Sequence, residues 1–195
     1  MADGREVAAL PLAELPATPF DVLLHFAYRT REHAAEMGLE SYVAANEAIT
    51  ATVVEAIERQ RPRGVGHASS GAVYEEGGRL AADLEANPYG VLKLRDEQAI
   101  SAAASAVDAG AVNVRVFNVA GPYITKPSGF ALSDIILQAA SGGPVRLRAQ
   151  RPVVRSYVDV DDLAALLIAA ATAGESGTFD TAGDEEVEVG ALAER

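Results

Sequence analysis

Short apolar runs alternate with stretches of helical periodicity along this chain, and that alternation limits its possible folds more than any other feature. Residues 21–27 and 65–69 suit buried strands, and residues 112–117 alternate like a third. Between them, Ile49, Val53, Ala56 and Ile57 recur at helical spacing, so a helix is expected over 46–60 with Asn46 as its N-cap. Residues 88–109 open on Pro88 and end before Gly110, as a second helix would. Further on, the pattern predicts a helix near 129–141, a short strand at 145–148 and an extended piece at 157–160. A helix over 162–173 capped by Asp161 and a last strand at 178–181 complete it. Pro11, Pro16 and Pro19 bar a long helix from the first nineteen residues. Strands and helices in such alternation imply an α/β fold, a parallel sheet covered on both faces. Ligands of such sheets bind beyond the carboxyl ends of the strands.

Composition narrows the function. A formal net charge of -12 argues against nucleic acid as a partner, since phosphate backbones demand clustered Lys and Arg. A single local arginine can still hold a small anionic ligand. With no cysteine there is neither a disulfide nor a thiolate metal site. His25, His33 and His67 lack the spacing of ligands on one helix, so no metal is expected. No apolar run approaches the roughly 18 residues of a membrane span, and the first residues have no signal-peptide character. The expectation is a cytoplasmic protein without a membrane partner. A hydrolase is also disfavoured, because Ser69 and Ser70 do not sit in a GxSxG elbow.

The residues that carry chemistry fall at the ends of the expected strands. Tyr89 and Lys93 stand four apart, which places them on one face of a helix. A cation beside a phenol favours the phenolate, and a Tyr so tuned serves as general base or acid near neutral pH. Alone, such a pair is common on solvated helices. Here Ser69 and Ser70 close the preceding strand, where a hydroxyl can share a proton with Tyr89 or bind a substrate hydroxyl. Asn118 follows the next strand in a Gly-Pro turn, and Arg155 precedes a run of three Asp best read as helix capping.

Five pieces in order carry a resemblance: HFA at 25–27, SSGAVY at 69–74, YGVLK at 89–93, RVFNVAGP at 115–122 and RSYVDVDDLA at 155–164. Over roughly residues 20–190 the chain is similar to extended short-chain dehydrogenase/reductases, and within them resembles the NAD-dependent epimerase/dehydratase family of nucleotide-sugar enzymes. The resemblance implies Ser70, Tyr89 and Lys93 as the catalytic set, with Lys93 also holding the nicotinamide ribose and depressing the Tyr pKa. It implies NAD or NADP as cofactor, lined by His25, Ala27, Ala68, Tyr89 and Lys93. The implied substrate is a nucleotide sugar touched by Ser70, Asn118 and Arg155, the last as a fork of donors for a diphosphate. Asn46 matches a family Asn that supports the active-site backbone.

None of the 17 glycines makes the family's GxxGxxG turn after a strand. The expected fold is therefore a partial Rossmann-like, doubly wound parallel sheet lacking the first βαβ units, with part of a small C-terminal substrate domain. The core is expected over 1–125 and 153–172, and the substrate-binding subdomain over 126–152 and 173–195. Without those units the strand at 21–27 becomes an edge, to be covered by another chain, by residues 1–19, or by a missing part of the protein. Tyr28 stands where the family has a small residue. A homodimer through helices 46–60 and 88–109 is expected from the resemblance. Two functions stay open: an epimerase or reductase, and a non-catalytic binding or assembly module. Dehydration is disfavoured because Ser70-Gly71-Ala72 lacks the acidic pair of the dehydratases.

Overall fold

The computed structural model describes residues 9–122, 124, 127–149 and 151–194. Strand β1 (Val22–His25) leads into a short helix α1 (Arg31–Met37) and a long one, α2 (Leu39–Gln60). Strand β2 (Gly64–Ser70) runs by way of a 3₁₀ turn to α3 (Pro88–Ala106), and β3 (Gly110–Val116) follows directly. Then come β4 (Val119–Ala120), α4 (Ala131–Ala140), β5 (Val154–Ser156), β6 (Val158–Asp159) and α5 (Val160–Ala173). Strands β7 (Gly177–Asp180) and β8 (Glu186–Glu188) and the short α6 (Val189–Ala193) end the chain.

The main sheet has the order β1-β2-β3-β7, and every pairing in it is parallel. Helices cover both faces, as the alternation of strand and helix requires. On one face Leu23, Val65 and Ala111 pack with Val53 and Ile57 of α2 and Ile100, Ala103 and Ala104 of α3. On the other, Val112 and Val114 of β3 meet Leu163 and Leu167 of α5. Successive β3 residues thus point to opposite faces, the two-residue period of a strand. Strand β7 comes from the 173–195 segment assigned to the subdomain in the sequence reading, and lies in the main sheet.

Strand β1 is the edge, and the chain ahead of it covers part of that side. A 3₁₀ turn at Leu12–Ala17 leans on α2; Leu15 and Phe20 join the core beside Leu23, and Gln60 donates to the Pro16 carbonyl. Residues 1–8 of that leading segment lie outside the described residues. No described helix is long and apolar enough to cross a membrane.

Four local expectations need correction. Helix α2 begins at Leu39, behind Gly38 with its φ of 78°, and not at Asn46. Asn46 instead lies two turns inside the helix and uses its amide for a tertiary contact. Asp159, rather than Asp161, caps α5 by accepting from the Asp161 N–H. Residues 145–148 form no strand, since no neighbouring strand lies alongside to pair with them. Helix α1 was not foreseen, because it buries none of its residues and so lacks an apolar stripe.

Candidate active site

Two close approaches place the reactive groups. Gly90 in the first turn of α3 packs so tightly on the turn after β2 that a Cβ there would lie 2.1 Å from the Ala72 carbonyl oxygen. Asn87 locks the same contact: its side-chain oxygen caps the Gly90 N–H at 2.9 Å and its amide donates to the Ala72 carbonyl at 2.9 Å. Helix α3 therefore starts against the end of β2, and Tyr89 meets Ser70. The Ser70 hydroxyl lies near enough to the Tyr89 phenol to pull its pKa down. The Ser70 oxygen also accepts the Ala72 N–H at 3.2 Å.

Lys93 lies one turn further along α3, only 3% exposed. Its ammonium donates to the Ala68 carbonyl at 3.0 Å and sits 3.9 Å from the centroid of the Tyr28 ring. Tyr28 in turn meets Tyr89 edge to face, with centroids 5.5 Å apart. The Arg31 guanidinium lies 5.6 Å from the other aromatic centre, the Tyr89 ring. Tyr89 and Arg31 open onto a cavity of about 360 Å³ that Tyr74, Ala72 and Asn87 also line. Ser70 and Lys93 stand behind Tyr89, outside that cavity's walls.

Electrostatics correct one expectation. Lys93 was expected to depress the Tyr89 pKa, yet burial pushes the phenol up from its ordinary value. The nearby Ser70 hydroxyl and the Arg31 charge oppose that rise. Lys93 is itself lowered to about 8, because burial outweighs the attraction of Asp96 and Glu97. Beneath it, Asp96 is raised to about 6 by burial, against the pull of the Thr50 hydrogen bond at 2.6 Å and of Lys93. The second Asp96 oxygen has no hydrogen-bond partner, and neither have the buried Tyr28 and Tyr42 phenols.

The other predicted residues are placed as follows. His25 ends β1 and stacks on His67 with ring centroids 5.3 Å apart. Burial first and the Lys93 charge second lower His25 to about 4 and His67 to about 3, so both rings are neutral. Ala27 lies just past β1 and is exposed, while Ala68 in β2 offers the carbonyl that Lys93 takes. Asn46 clasps the chain after β1, accepting from the Arg29 N–H at 2.9 Å and donating to the Tyr42 carbonyl at 3.2 Å. Asn118 donates to the Ser156 carbonyl at 3.1 Å, tying the end of β3 to the β5–β6 segment. Arg155 is exposed and lines a second cavity of about 250 Å³ with Arg146, Arg148, Phe130 and Asp134. The structure thus brings Ser70, Tyr89 and Lys93 together and puts Arg155 in a separate recess.

Four residues that sequence reasoning missed shape the site: Arg31, Asn87, Asp96 and Glu97. Asn87 and Pro88 just before Tyr89 are a readable capping signal. The Glu97 role is visible only in three dimensions. It accepts from Ser69 and from two of the three Arg115 nitrogens, Nε at 2.9 Å and Nη2 at 2.7 Å, while the third, Nη1, reaches the Tyr74 hydroxyl at 2.6 Å. Among the described residues no cluster of three His, Asp or Glu could hold a metal.

A nicotinamide cofactor is implied by the resemblance, and this chain's residues fit it in part. The Ser70–Tyr89 pair and an ammonium one turn away are the donors and acceptors that a ribose and a reacting hydroxyl need. Against that, the Tyr28 ring lies on the ammonium and must turn aside before a ribose can touch it.

Comparison with known proteins identifies the family. Residues 9–182 match the NAD dependent epimerase/dehydratase family. A UDP-glucose 4-epimerase of Streptomyces lividans is 30% identical, over 74% of this chain and 49% of that protein. The chain therefore spans about half the length of this curated relative. UDP-N-acetylglucosamine 4-epimerase from Methanobrevibacter ruminantium M1, solved with UDP-N-acetylmuramic acid, superimposes with a TM-score of 0.78 at 19% identity, covering 95% of this chain and 62% of that one. MoeE5, solved with UDP-glucose and NAD, gives 0.74 at 23% identity, covering 94% and 63%. With the motifs in order, the parallel sheet in place and the family match running across most of its length, the chain belongs to the NAD-dependent epimerase/dehydratase family.

Proposed function

We propose that this protein is an NAD(P)-dependent epimerase or reductase of nucleotide sugars, in which Tyr89, Ser70 and Lys93 do the proton chemistry. The observation that carries this reading is the docking of the first turn of α3 on the carboxyl end of β2, which brings Tyr89 to Ser70, with Lys93 one helical turn behind. Tyr89 takes the proton from a sugar hydroxyl, or returns one to a keto oxygen. Ser70 holds that oxygen in line with the phenol. A bound nicotinamide would supply the hydride acceptor or donor for the sugar carbon. Lys93 holds the nicotinamide ribose, and the chain around His25, Ala27 and Ala68 forms the wall beside it. In the free protein burial makes Tyr89 keep its proton, and Ser70 and Arg31 act against that rise.

The diphosphate of the substrate belongs with Arg155, where Arg146 and Arg148 line the same recess. Asn118 fixes the segment between that recess and the sheet. Dimerisation through α2 and α3 is part of the same proposal. The non-catalytic alternative has one observation in its favour, the Tyr28 ring on Lys93.

Calorimetric titration with NAD and NADP, beside turnover of UDP-sugars by wild type and Tyr89→Phe, tests the reading. Cofactor binding is expected, with turnover falling about 10³-fold in Tyr89→Phe, the usual worth of a positioned acid or base. Absence of binding and turnover in the wild type would select the non-catalytic module.

A further inference from the structure

The Tyr28 side chain is a group near the reactive set whose position the proposed chemistry does not explain. It follows β1 by three residues, and its phenol oxygen is buried with no hydrogen-bond partner. Burial first, then the charge of Asp96, pushes its pKa well above the ordinary phenol value, so the hydroxyl is neutral and gains little where it lies. The ring, by contrast, is well placed. Its face receives the Lys93 ammonium at 3.9 Å from the centroid, and it packs at 85° to the Tyr89 ring. An ammonium over an aromatic face is attracted by the ring quadrupole, most strongly when both are out of water. Lys93 donates to the Ala68 carbonyl, and the ring lies against the same ammonium.

We propose that Tyr28 is an internal occupant of the ribose seat: its ring stands in for the sugar on Lys93, and a nicotinamide nucleotide binds only by displacing it. The inference rests on the reading of Lys93 as the group that holds the ribose. It makes Tyr28 the residue that sets cofactor affinity. The orphaned hydroxyl loses no hydrogen bond when the ring swings outward, a side-chain rotation on a backbone that Asn46 holds at Arg29. The energy of the covered state is subtracted from the binding of any ligand that needs Lys93.

Lys93 and Lys126 are the only lysines in the sequence, which makes the test direct. Protein labelled with ¹³C at the lysine ε-carbon gives two signals. In the wild type one of them should lie upfield, shifted by the ring current of Tyr28, and saturating NADH or NADPH should return it to the ordinary position. Tyr28→Ala should show the ordinary position without ligand and bind the reduced nucleotide about tenfold more tightly by fluorescence, the scale of one lost cation–aromatic contact. Tyr28→Phe keeps the ring and should behave as wild type. A wild-type Lys93 signal with no ring-current shift overturns the proposal whether or not the alanine variant folds. Equal affinity in wild type and Tyr28→Ala overturns it while leaving the functional reading intact. No nucleotide binding by either protein, with the Lys93 signal freed in the variant, overturns both.

Discussion

Around Lys93 the charged side chains are largely buried, whereas around Arg155 they stand in solvent beside short two-stranded sheets. The first region holds Lys93, Asp96, Glu97 and Arg115 within one helix and the strands beneath it. Glu97 and Arg115 form a two-bond ion pair whose side chains are 5% and 13% exposed. In the second region β5 pairs only with β8, β4 only with β6, and Arg155 meets no carboxylate within ion-pair distance among the described residues. The contrast teaches where geometry is fixed in advance. Proton transfer needs groups held to fractions of an ångström, and desolvation by packed neighbours supplies that. Gripping a flexible diphosphate needs reach and charge, which exposed arginines supply without burial.

The largest effect that could break this contrast is Glu97→Ala. Removing one partner of a buried pair strands the other, so unfolding free energy should drop by about 3–4 kcal/mol in urea titration. A loss below about 1 kcal/mol would mean that the pair is as weak as a surface one.

Asp96→Asn sharpens the comparison through pH. The native state holds the Asp96 proton up to about pH 6, against an ordinary value of 3.8 for the unfolded chain. Between those values the folded protein binds more protons than the unfolded one, so stability falls as pH rises through the window. The asparagine variant should therefore match wild type near pH 4 and exceed it by about 2 kcal/mol near pH 7.5. An equal gain at both pH values would point to packing rather than charge.

Arg155→Ala is expected to change stability least, within about 0.5 kcal/mol. Its affinity for UDP should nevertheless fall about tenfold, the worth of one lost charge-assisted contact. A variant that unfolds early would place Arg155 among the structural residues instead.

Much of the Tyr89 region was legible in the sequence because its signals are local. The spacing of Tyr89 and Lys93 needs only a helix, and Ser70 needs only a strand that ends there. Other features depend on partners far along the chain. Asn46 reads as a helix cap by residue type, yet its amide serves Arg29, and the helix begins at Leu39. Val145 and Leu147 alternate as a strand would, but a strand exists only where another lies beside it. Gly90 looked like an unremarkable member of the YGVLK run until the Ala72 carbonyl was found 2.1 Å from where its side chain would begin.

By itself, then, the sequence determined the parallel α/β architecture, the one-turn spacing of phenol and ammonium, and the absence of thiol chemistry, since each follows from chain-local periodicity or composition. Only the tertiary structure decided the sign of the Tyr89 shift, the rotation of Lys93 onto Ala68 and Tyr28, and the separation of Arg155 from the Tyr89 cavity. The reason is that burial and charge act through space. A side chain's water is removed by whatever β1, α2 and β2 bring against it, and no spacing along the chain records that.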